Sequence, residues 1–161
     1  MGTSTDGQIC FGIQFEEDYR FPWNSDNADI DNWWLYKICG YTNPFELYDE
    51  EGEWLNGIKP SQGQIKEYYD PQREFEKEHP LPVELINYCS GDYPDYIVAI
   101  PRTCMTSSRG FPKAFNPKDF VITEEEATAL VAFCQEHCQP YDEDYDPPDF
   151  TPHWYLSSYW G

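Results

Sequence analysis

The chain has 161 residues, with 30 Asp and Glu against 10 Lys and Arg and a formal net charge of −20. A chain this acidic argues against electrostatic attachment to nucleic-acid phosphates or anionic membranes, and points to basic partners, of which nucleic-acid-binding proteins are the largest class. The aromatic content of 18% argues against disorder, no apolar run approaches a membrane span, and the first residues lack a signal-peptide pattern, so a single cytosolic domain over 1–161 is expected.

Gln8 to Phe15 alternates strictly, placing Ile9, Phe11, Ile13 and Phe15 on one face and Gln8, Cys10, Gly12 and Gln14 on the other, the pattern of a half-buried strand. Ser25 then reads as the N-cap of a helix whose Ile30, Trp33, Trp34 and Ile38 share a face, with Gly40 as its stop. Residues 41–60 form a long connection, in which Phe45–Tyr48 and Trp54–Leu55 are expected to be the arms of a hairpin across Glu51-Gly52. Ser61 and Gln64 make a capping box that opens a helix with Ile65, Tyr68, Tyr69 and Phe75 inward, and Pro71 should kink or restart it. His79-Pro80 and Pro82 end it.

Val83–Tyr88 and the continuously apolar Tyr96–Ile100 read as the next two strands, the latter central, joined by a turn over Cys89–Pro94. A polar loop from Arg102 to Gly110 follows, then a short strand over Phe120–Ile122. Thr123 with Glu126 caps an amphipathic helix that buries Ala127, Leu130, Val131, Cys134 and Cys138. Residues 141–150, YDEDYDPPDF, should be extended and solvated, and the chain closes on a strand in which Trp154, Leu156, Ser158 and Trp160 share a face. The sum is an α+β fold: a mixed or antiparallel sheet of four to five strands with two to three helices on one face.

The strings TDGQICFGIQFEE, VELINYCSGDYP and WYLSSYWG resemble small acidic bacteriophage proteins of unknown function. The resemblance covers most of the chain. It implies a setting, the cytoplasm of an infected bacterial host, and no activity, cofactor or functional residue.

Charge is unevenly laid out. Residues 96–118 carry four bases and no acid, whereas 119–161 carry ten acids and no base. Acidic blocks at 16–18, 46–53 and 141–150 could present rows of carboxylates resembling a phosphate backbone, with Asp49, Glu50, Glu51, Asp142, Glu143, Asp144 and Asp146 as the contacts to a basic host protein. The bland alternative is a solvated surface serving solubility. The basic stretch offers Arg102, Thr106, Ser107, Ser108, Arg109 and Lys113, donors suited to a phosphate, and a nucleotide-type immune signal is the ligand such a loop would sequester. Its alternatives are pairing with neighbouring acids or a contact between two copies of the chain.

Cys134 and Cys138 lie one helical turn apart, but C-x₃-C without a second matching pair is a poor zinc pattern, and no metal or cofactor is expected. Cys89 or Cys104 would be the nucleophile of a small hydrolase if His79, His137 or His153 came near. Neither G-x-S-x-G nor H-E-x-x-H occurs, so a non-enzymatic role is expected.

Overall fold

A computed structural model describes residues 5–16, 19–25, 28–48, 53–90, 94–108, 110–140 and 149–160. The fold is α+β, with a five-stranded sheet. The chain divides into two compact units, one made of Met1–Asn27 with Pro82–Gly161 and the other of Ala28–Leu81. No helix among the described residues is long and apolar enough to cross a membrane.

The first unit is organised on β1 (Thr5–Phe15), which is long enough to take different partners along its length. Its later half, Gly12–Phe15, pairs antiparallel with β3 (Pro94–Ala99). Its earlier half pairs antiparallel with β5 (His153–Trp160) over Thr5–Gly12, and with the short β4 (Met105–Ser107) over Gly7–Ile9. β2 (Glu84–Ser90) pairs antiparallel with β3, and its last residues meet β5 in a short parallel pairing, Cys89 with Tyr159 and Ser90 with Trp160. The sheet therefore curls until β2 and β5 touch.

Curling changes the burial expected for β1. Ile13 and Phe15 are buried, but so are Cys10 and Gly12 on the opposite face, so this central stretch is covered on both sides rather than half-buried. Inside the curl, Cys10 packs with Ile86, Ile97 and Ala99, and Tyr88, Cys104 and Tyr155 close the cluster. Outside it, Phe15, Tyr19 and Phe21 form a tilted aromatic set with centroids 4.8–4.9 Å apart, and Trp23 on α1 (Pro22–Ser25) stacks on Phe21 at 4.3 Å. The Tyr19 hydroxyl donates to the Cys138 carbonyl at the end of α4 (Glu124–His137), which ties that helix to the β1 exit. The expected capping box is present, Glu126 N–H donating to Thr123 Oγ1 at 3.2 Å and Thr123 N–H to Glu126 Oε2 at 2.9 Å. Leu130, Phe133 and Cys134 are its buried side chains, whereas Ala127 and Val131 are half-buried.

Two segments between the strands differ from expectation. Residues 102–110 are not simply a loop, because Pro101–Thr103 forms a 3₁₀ turn and β4 follows it. Thr103 is fully buried there, accepting from Phe11 N–H at 3.0 Å and donating to the Ile100 carbonyl at 2.7 Å. The strand expected at Phe120–Ile122 is instead a 3₁₀ turn over Pro117–Phe120, set by Asn116 as cap and Pro117 at its first position.

In the second unit the N-cap is Asp29, whose carboxylate accepts from Asn32 N–H at 2.8 Å, and not Ser25, which ends α1. The helix α2 (Ile30–Trp33) continues as a π-turn over Trp34–Ile38, with Cys39 N–H reaching back five residues to the Trp34 carbonyl. The wider turn shifts the helical phase. Ile30, Trp33 and Leu35 are buried, while Trp34 is only half-buried and Ile38 is exposed. Gly40 has φ 69°, the left-handed conformation that ends a helix.

The expected hairpin is reduced to one antiparallel bridge, Tyr48 with Trp54, their rings stacked at 4.8 Å. Helix α3 (Gln62–Glu78) starts at the expected Ser61–Gln64 capping box and runs through Pro71 without restarting. None of its residues is fully buried; Ile65, Tyr68, Tyr69 and Phe75 are half-buried on one side.

Candidate functional site

Carboxylates dominate both units. The first holds 18 acidic residues against 5 basic, the second 12 against 5. Among described residues, Glu124 and Glu125 stand exposed in the first turn of α4, where the helix dipole favours negative charge, and no Lys or Arg lies on that helix. Along α3, Glu67, Glu74, Glu76 and Glu78 are exposed, with Lys66 and Lys77 paired locally to Asp70 and Glu74. The seven acidic contacts expected from sequence, Asp49, Glu50, Glu51, Asp142, Glu143, Asp144 and Asp146, all lie outside the described residues.

The basic stretch is better defined. Arg102, on the 3₁₀ turn after β3, grips the Glu126 carboxylate with Nε and Nη2, the latter at 2.6 Å. The same guanidinium donates to the carbonyls of Val121 at 3.0 Å and Asp119 at 3.4 Å. Arg102 thus staples the start of α4 to the end of β3, and an incoming anion would have to displace that set. Thr106, Ser107 and Lys113 line a separate cavity of about 280 Å³ whose remaining wall is largely apolar, with Ile9, Phe115 and Leu156. Ser107 Oγ donates to the Phe111 carbonyl at 2.8 Å, and Ser108 is exposed. Arg109 lies outside the described residues. The structure therefore gathers three of the six expected ligand residues and turns Arg102 to a structural task.

The Arg102 and Thr123 contacts hold the Glu126 carboxyl down at about 2 from an ordinary 4.5. A folded-state value below the unfolded one contributes stability above pH 4.5, and that contribution disappears as pH falls toward 2. Arg102→Met should therefore melt below wild type at pH 7, and the gap should close as pH approaches 2. Thermal melts across that range check this; a gap that stays constant would show that the pair does not act through Glu126 ionisation.

Cys10, Cys39, Cys104 and Cys138 are raised above the ordinary thiol range. Burial, followed by the Glu84 carboxylate, pushes Cys10 up to about 11 and raises Cys104 as well. Cys138 is raised by its contact with the Cys134 thiol and by burial. Cys89 lies on β2, paired with Pro94 and Tyr159. Among the described residues, no group of three or more His, Cys, Asp or Glu is placed to hold a metal ion. The His137 ring lies tilted against Phe133, centroids 5.0 Å apart and planes at 60°, and both residues line a cavity of about 350 Å³ with Val83, Ile100 and Leu130.

Sequence reasoning also missed a third cavity. In the second unit, Asp31, Trp34, Leu35, Glu76, His79 and Leu81 line a cavity of about 220 Å³. The only signal for it in sequence is the acidic and aromatic composition of two segments some 45 residues apart, Trp34 and His79 being hydrogen-bonded across that gap. Comparison with protein-family models, with curated proteins and with solved structures found no match to this chain.

Proposed function

We propose that this chain is a non-enzymatic inhibitor encoded by a bacteriophage, acting in the cytoplasm of the infected host on a basic, nucleic-acid-binding defence protein. Its exposed carboxylates take the place of nucleic-acid phosphates in the partner's basic groove. The observation that carries this reading is the surplus of acids over bases in both units, together with the commitment of Arg102 to Glu126. Among the described residues, the ion pairs of Lys66, Arg73, Lys77 and Arg102 engage Asp70, Glu74 and Glu126, a small share of the 30 acids.

Two other readings receive less support. A nucleotide sponge at residues 102–118 would need Arg102 as a free fork, and that guanidinium is occupied. A cysteine hydrolase would need a thiolate at Cys104 or Cys89, and burial, followed by the Glu84 carboxylate, raises the Cys104 thiol well above its ordinary range.

The test is capture from host lysate on the immobilised protein at low and high salt. A charge-driven partner is retained at about 50 mM salt and released at about 500 mM, because surface charge attraction is screened within a few ångströms at the higher value. The captured protein should itself bind nucleic acid, and nucleic acid should elute it. Retention that ignores salt, or extraction of a bound nucleotide from the purified chain, would overturn the reading.

A further inference from the structure

The cavity of the second unit has the chemistry of a cation receptor. Two carboxylates face it, Asp31 on α2 and Glu76 on the last turn of α3. Burial, then the negative charges of Asp29 and Glu76, raises the Asp31 carboxyl above its ordinary range. The ion pairs of Lys66, Arg73, Lys77 and Arg102 go to other acids, and Glu76 accepts from the neutral Gln72 amide at 2.9 Å. Carboxylates brought together without a cation between them are an arrangement that a bound positive charge would relieve.

The rest of the wall is aromatic and fixed in place. Trp34 lines the cavity and its indole Nε1–H donates to the His79 carbonyl at 3.2 Å. The His79 ring is stacked on Phe75, centroids 4.0 Å apart and planes 15° from parallel, and its Nδ1 lies 3.1 Å from the Phe75 carbonyl. Leu35 and Leu81 complete the lining. A flat indole, an oriented imidazole and two carboxylate acceptors match a planar guanidinium better than an ammonium, since a guanidinium can stack and donate in two directions at once. A cavity of about 220 Å³ is of side-chain size.

We propose that this cavity receives an arginine side chain of the basic partner, between the Asp31 and Glu76 carboxylates and against Trp34. The assignment rests on the acidic-surface reading and gives it one anchoring contact.

The test is a titration of the ¹⁵N-labelled full chain with N-acetyl-arginine amide, followed by NMR, with N-acetyl-citrulline amide as the uncharged isostere. The arginine probe should give saturable shifts at the Trp34 indole and at His79 and Leu81, and the citrulline probe none. In the double variant Asp31→Asn, Glu76→Gln the affinity should fall about tenfold or more, which corresponds to about 1.4 kcal/mol. The absence of saturable shifts at these residues, equal shifts with citrulline, or an unchanged affinity in the double variant each overturns the assignment. Failure of the underlying reading is separable. If the arginine probe binds and no basic protein is captured from lysate, the cavity stands without the inhibitor role. If a basic partner is captured equally by wild type and by the double variant, and the probe does not bind, the inhibitor role stands without the cavity.

Discussion

Gly12→Ala should destabilise the protein by on the order of 3 kcal/mol and lower Tm by roughly 6–12 °C, since Gly12 is the most crowded of the described glycines. At Gly12, β1 is paired on both sides, with Ala99 and with His153, on the inner face of the curl. A Cβ there would lie 2.5 Å from Ile97 Cγ2, 2.5 Å from the Val98 carbonyl oxygen and 3.0 Å from Ala99 Cα. The isoleucine can rotate away; the backbone carbonyl and Cα cannot without opening the β1–β3 pairing. Gly7 on the same strand is the control. A Cβ there meets only the Ser107 carbonyl at 3.9 Å, so Gly7→Ala should leave stability within about 0.5 kcal/mol of wild type. Urea unfolding of the three proteins gives the comparison, and equal stabilities for the two variants would mean that β1 and β3 do not approach as closely as described.

Gly12 also shows where sequence reading stops. The alternation of Ile9, Phe11, Ile13 and Phe15 identifies the strand and its two faces, because period-two patterning is local. That the opposite face, with Cys10 and Gly12, is buried too depends on β3 and β5 closing around it, and those strands lie more than 80 and more than 140 residues away. The capping boxes at Ser61–Gln64 and Thr123–Glu126 were legible for the same local reason, each being completed within four residues.

β4 was not legible. Met105-Thr106-Ser107 carries no strand pattern of its own and is strand only because Gly7–Ile9 offers it a ladder. The burial of Leu35 in place of Ile38 follows from a π-turn whose extra residue has no sequence mark.

Arg102 is the instructive case for the site. In sequence it is one cation among four in a stretch without acids, which reads as a mouth for an anion. Its partner, Glu126, lies 24 residues on in a cluster of three glutamates that a helix N-terminus would favour in any case. Only the position of α4 beside the 3₁₀ turn turns a candidate ligand residue into a structural one. The cavity of Asp31, Trp34, Glu76 and His79 is hidden in the same way, since α2 and α3 bring their contributions from opposite ends of the second unit.

Charge reversal should have the largest functional effect. Asp142, Glu143, Asp144 and Asp146 fall in a ten-residue segment with five acids and no base, so converting all four to Lys changes the charge of that segment from −5 to +3. If these side chains stand in for phosphates, four attractive contacts become repulsive, and like charges across an interface suppress association strongly. Affinity for the captured partner should fall about 100-fold or more, corresponding to about 2.7 kcal/mol, with the association rate taking much of the loss. Circular dichroism and Tm should stay near wild type. Reversing the exposed Glu53, Glu67, Glu74 and Glu78 changes the net charge equally and separates a local surface from a general charge effect.

The decisive measurement is the equilibrium affinity of the 142–146 reversal for the captured basic partner at about 150 mM salt, beside wild type and the Glu53, Glu67, Glu74, Glu78 control. A loss of about 100-fold in the first, well beyond that of the control, with the fold intact, is the result that carboxylate mimicry of nucleic acid predicts. Wild-type affinity in the 142–146 reversal would contradict it.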